Sequence, residues 1–167
     1  MHQAALLLGL LVLAVAAGTV NAGLAEQPPG SVVCHNGAQL AAALADPGVD
    51  TALLPSDVVL RDDDWATLRT PVARDRNFTI LGTAQRLVTL DFNFVRRKML
   101  MANGTTLILR RLVVMNEKTS GDFQASEVEL FLPLPAGHRS LIWLDQGALV
   151  TPICLPIEEG RCVCKLK

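Results

Sequence analysis

The chain of 167 residues has no tyrosine and only two tryptophans, Trp65 and Trp143, so a broad aromatic platform for stacking flat ligands is poorly supplied. It also lacks a dominant charge. Its 15 basic and 16 acidic side chains leave a net charge of −1, which creates no field to draw in nucleic acid or an anionic membrane. No apolar run reaches the roughly 20 residues that a membrane-spanning helix needs. A glycine-rich phosphate loop is missing, and no nucleophile elbow surrounds His138 and Ser140. No cofactor is implied.

The first feature present is an apolar run over 4–17 built only from Ala, Leu, Val and Gly. At about 14 residues it is too short for a membrane span, and Val20-Asn21-Ala22 follows with side chains that suit signal peptidase. Residues 1–22 are therefore expected to be a secretory signal, although the segment before the run offers His2 and no Lys or Arg. An uncleaved anchor is the alternative. Removal after Ala22 leaves about 145 residues, enough for one domain with a core of its own, and no further membrane span.

All four cysteines, Cys34, Cys154, Cys162 and Cys164, follow that signal. In an oxidising compartment they read as two disulfides with three possible connectivities. Cys162 and Cys164 flank one residue, so each is expected to seek Cys34 or Cys154. A metal site built on Cys154 and the Cys-Val-Cys pair is the rival, but zinc ligands usually stand further apart and no His lies near that tail. Two sequons, Asn77-Phe78-Thr79 and Asn103-Gly104-Thr105, make Asn77 and Asn103 candidates for N-glycosylation.

A lead-in over 23–30 ends in Pro28-Pro29-Gly30. Asn36 is a plausible N-cap for a helix through Leu40 and Leu44, and Asp46-Pro47-Gly48 stops it. Short β-favouring runs then recur at 51–54, 58–60, 78–81, 87–94, 99–101, 105–109, 112–115, 128–132, 141–144 and 148–150, after a first one at 31–34. Strands this short and this many point to a sheet of small rungs rather than long hairpins. Phe78-Thr79-Ile80 and Met99-Leu100-Met101 stand 21 residues apart, and Gly104 and Gly147 stand 43 apart. That spacing fits a parallel β-helix with a coil of a little over 20 residues. In that reading the helix before the first rung covers the open end of the core; a surface helix on a β-sandwich is the alternative.

The residues also carry a likeness. Arg76-Asn77-Phe78-Thr79-Ile80-Leu81-Gly82, Thr89-Leu90-Asp91-Phe92 and the stretch 104–116 resemble a family of secreted right-handed parallel β-helix proteins abundant in green algae. Residues 40–49 resemble its N-terminal capping segment, and the likeness continues through 141–150 to Cys154. The resemblance implies a pectin-lyase-like fold of four to five coils over 31–154, with a cysteine-containing tail at 155–167. Its motifs are core positions and turns, so it implies fold and not activity.

Two strings invite a lyase reading. Arg69-Thr70-Pro71-Val72-Ala73-Arg74 fits the Arg-x-Pro-x-x-Arg pattern of pectate lyases, and Ile142-Trp143-Leu144-Asp145 resembles their Val-Trp-Ile-Asp-His motif. Gln146 stands where that motif has His, and the two strings occur in reversed order. Arg69, Arg74 and Asp145 are the positions to test. Asp62-Asp63-Asp64 reads as a solvated turn rather than a calcium site, and Asp91 and Asp145 are too isolated in sequence to form a hydrolase cluster by themselves. Trp143, inside an apolar run, is expected in the core; Trp65 is expected at a partly exposed position or closing a loop. The sequence thus favours a secreted, disulfide-bonded, glycosylated module without catalysis, its partner a cell-wall polysaccharide or matrix protein, over a polysaccharide lyase or hydrolase.

Overall fold

The computed structural model describes residues 29–119 and 128–150. The expected signal, Cys154, Cys162, Cys164 and the tail lie outside the described residues. The protein is mainly β, with parallel sheets and little helix. Strand β1 (Ser31–Val33) precedes helix α1 (Gly37–Ala45). There follow β2 (Thr51–Leu54), β3 (Val58–Val59), β4 (Val72–Arg74), β5 (Phe78–Gly82), β6 (Val88–Asp91) and β7 (Met99–Met101). The remaining strands are β8 (Thr106–Arg110), β9 (Leu112–Met115), β10 (Leu141–Asp145) and β11 (Ala148–Val150).

Every pairing between these strands is parallel. One sheet runs β1-β2-β5-β8-β10, a second β11-β9-β6-β3, and a third pairs β4 with β7. The chain therefore visits the three sheets in rotation: β2, β3, β4, then β5, β6, β7, then β8 and β9. A parallel bridge from Phe131 to Met99 supplies the third sheet's contact on that last circuit.

Alternation along each strand explains the register. Ala52, Ile80, Leu109 and Leu144 are successive partners, as are Phe78, Leu107 and Ile142, and Val58, Leu90, Val114 and Leu149. Up to Leu109 and Val114 these side chains are buried in one core cluster, so each circuit stacks its apolar positions on those of the last. The corners between sheets need a left-handed backbone. Arg111 (φ 55°) turns the chain between β8 and β9, and Gln146 (φ 52°) between β10 and β11. Glycine stands at the corners where backbones touch: a Cβ on Gly82 would lie 2.3 Å from the Arg111 carbonyl oxygen.

Helix α1 forms as the sequence predicts. The Asn36 side chain accepts from the Gln39 N–H at 2.9 Å, and the Gln39 side chain accepts from the His35 N–H at 2.7 Å. Leu40, Ala41 and Leu44 are buried in the core cluster. Strand β4, by contrast, falls inside the arginine-proline string, outside the β-favouring runs of the sequence. The run 128–132 contributes only its single bridge. Nor does the 21-residue spacing survive: Phe78 to Ile80 and Met99 to Met101 belong to different sheets. Side-chain hydrogen bonds between circuits instead join residues 29, 32, 35 and 36 positions apart, because the connecting loops differ in length.

Cys34 is fully buried in the core, where burial raises its thiol pKa to about 11. Among the described residues it has no disulfide partner and sits as a small apolar side chain would; the cysteines expected to pair with it lie outside the described residues. Trp65 is buried as well, at the end of a 3₁₀ turn formed by Asp62–Trp65.

Two outcomes follow. Gly82→Ala is expected to lower stability by about 1–3 kcal/mol, read from the denaturant midpoint, because the new methyl must displace a neighbouring carbonyl. Alkylation without reductant is expected to spare Cys34 in the native protein and label it once denatured. Labelling that requires prior reduction would place Cys34 in a disulfide.

Candidate functional site

The outward positions of the five-stranded sheet form a second set of columns. Thr51, Thr79, Ile108 and Trp143 are successive partners, and beside them run Leu53, Leu81, Arg110 and Asp145. Adjacent strands lie roughly 4.8 Å apart, so a ligand crossing the sheet meets one side chain from each strand at that spacing. The inward phase belongs to Ile142 and Leu144, which turns Trp143 outward, 57% exposed. This overturns its expected place in the core.

Beside Trp143 the Arg110 Nε donates to Asp145 Oδ2 at 2.6 Å. The pair is half-exposed, which limits it to a small contribution to stability, but it fixes a guanidinium and a carboxylate next to an indole face. Leu141, also outward on β10, joins this face to a cavity of about 580 Å³. That cavity has Met101, Phe131 and Leu134 on its walls and His138, Arg139 and Ser140 among its polar lining. Its volume falls in the range of small-molecule sites.

The two sequon asparagines have a structural use that their motif does not announce. Asn77 Oδ1 accepts from the Thr106 N–H and Asn103 Oδ1 from the Arg139 N–H, both at 2.8 Å. Each thus ties one circuit to the next. Both residues are exposed, and the bonds engage Oδ1 rather than the amide nitrogen that would carry a glycan.

The lyase-like positions are not brought into one constellation. Arg69 is exposed in the loop before the cis Thr70–Pro71 bond. Arg74 lies on β4, 3% exposed. It donates to the carbonyl oxygens of Asp46, at 2.8 Å, and of Val49, and its guanidinium carbon sits 4.6 Å from the Phe78 ring centroid. Burial and the charge of Arg76 push its pKa down, while Asp50, 3.7 Å away, pulls the other way. Arg74 therefore anchors the chain leaving α1. Asp145 stands on another sheet, engaged by Arg110. The triple aspartate is a turn, in which Asp64 accepts from the Arg61 N–H at 2.7 Å and Asp62 pairs with Lys98 at 2.9 Å. Among the described residues no three His, Cys, Asp or Glu side chains converge as metal ligands, and no helix is long and apolar enough to cross a membrane.

Comparison with protein-family models, curated proteins and solved structures returned no match. The functional reading therefore rests on the geometry of this chain alone.

Arg74→Gln is expected to cost about 2 kcal/mol or more in a denaturation series, through the loss of charge-assisted bonds from a buried guanidinium to the Asp46 and Val49 carbonyls. Arg69→Gln is expected to stay within about 0.5 kcal/mol of the native protein. Equal effects would contradict the anchoring role of Arg74.

Proposed function

We propose that this chain is a secreted, non-catalytic extracellular module, built as a right-handed parallel β-helix, that holds wall or matrix polysaccharide on the outer face of its five-stranded sheet. The observation that carries the reading is Trp143, exposed on β10 beside the Arg110–Asp145 pair. An indole face stacks on the apolar side of a sugar ring, and a fixed guanidinium and carboxylate hydrogen-bond to its hydroxyl or carboxylate groups.

The β-helix draws support from the rotation of the chain through three parallel sheets. Its hand follows from the rule that parallel crossovers are right-handed. Export draws support from the apolar 4–17 run and the Val20-Asn21-Ala22 segment. A lyase has less in its favour, since Arg74 spends its guanidinium on backbone carbonyls and is not free to act as a base.

The test is retention on an array of neutral and acidic wall polysaccharides, with and without calcium. Trp143→Ala is expected to weaken retention at least about tenfold, or ~1.4 kcal/mol. Arg110→Gln is expected to weaken retention on polyuronates more than on neutral glycans. Unchanged retention in Trp143→Ala would overturn the site, and calcium-dependent release of unsaturated products would overturn the non-catalytic reading.

A further inference from the structure

At the last described strands the core borders an open pocket that contains an unsatisfied acid. On the last circuits the inward positions Leu109, Val114, Ile142, Leu144 and Leu149 line a cavity of about 260 Å³, and Glu117 lines it with them. Leu149 is 53% exposed although its partner Val114 is buried, so the cavity opens outward at the last described strand. Glu117 follows the left-handed corner at Asn116 (φ 54°) and is 3% exposed. Its backbone carbonyl accepts from the Glu129 N–H at 2.9 Å. Its two carboxyl oxygens are buried and have no hydrogen-bond partner among the described residues. Lys118 also lines the cavity.

A buried carboxyl without a partner is costly, and native proteins retain few such groups without a use. The surroundings define what would satisfy it. Calcium takes six to eight oxygen ligands and magnesium a near-ideal octahedron, and a single carboxyl with Lys118 and aliphatic side chains around it supplies neither. An ammonium group bonds to both oxygens while an attached alkyl chain fills the aliphatic space. The volume lies below the range of drug-sized sites, roughly 300–1,000 Å³, which limits the guest to a short chain.

We propose that this pocket is a binding site for a small aliphatic ammonium ion, held by Glu117 and enclosed by Ile142, Leu144 and Leu149. It is separate from the Trp143 face and does not depend on the polysaccharide reading. The full chain is titrated with n-pentylammonium and with 1-pentanol while the methyl resonances of Leu144 and Leu149 are followed by NMR. Saturable shifts are expected with the amine, with an affinity at least tenfold above that for the alcohol. Glu117→Gln, which removes the charge and keeps the shape, is expected to abolish that preference. Leu149→Trp, at an exposed position that leaves the carboxyl in place, is expected to block both guests. Equal affinity for amine and alcohol, undiminished amine binding in Glu117→Gln, or no saturable shift of these methyls would each overturn the proposal.

Discussion

Stacking of inward side chains from one circuit onto the next is the constraint from which the other features of this protein follow. Phe78 lies on Leu107 and Ile80 on Leu109, and Val88 and Leu90 meet Leu112 and Val114 in the neighbouring sheet. A shift of one residue in any strand would turn its apolar set to solvent and its polar set inward, so the register is fixed by burial. Keeping it forces the chain to turn sharply between sheets. That is why Arg111, Asn116 and Gln146 adopt left-handed conformations and why Gly82 meets the Arg111 carbonyl without a side chain between them. The same constraint creates the outer columns, since every residue that is not inward stands in line with its counterparts on the outside.

Much of this was legible in the residues. Thr51–Leu54, Met99–Met101, Leu112–Met115 and Ala148–Val150 are strands where short β-favouring runs place them, and the Asn36 cap and the Leu40–Leu44 face of α1 follow from local chemistry. The illegible parts have physical causes. Loops of unequal length spoil any fixed period, so strings 21 residues apart align by accident across different sheets. Strand β4 hides behind Pro71 and two arginines, because Arg74 is buried by satisfying backbone carbonyls, a partnership that composition does not reveal. In Leu141-Ile142-Trp143-Leu144 every residue is apolar, so no alternation says which face is inward; the register with β8 decides it and sends Trp143 out. Cys34 illustrates the same limit, since counting cysteines does not report that this one lies within the core.

Two kinds of surface result from one geometry. The sides of the stack present regular columns, where Trp143 and the Arg110–Asp145 pair give a flat face with stacking and hydrogen-bonding groups side by side. The last described strands present interior side chains that no further described strand covers, and Glu117 brings a carboxyl among them. Neither arrangement needs a catalytic constellation. Both use groups that the stacking leaves over.

The most direct test of the account is the inter-strand register in solution, measured as NOEs between side chains and backbones in the folded, isotopically labelled chain. The stacked register predicts a ladder from Ile80 to Leu109 to Leu144, and in the neighbouring sheet from Leu90 to Val114 to Leu149. Contacts that pair Phe78, Thr79 and Ile80 with Met99, Leu100 and Met101 as adjacent strands would contradict it. They would restore the shorter period read from the sequence.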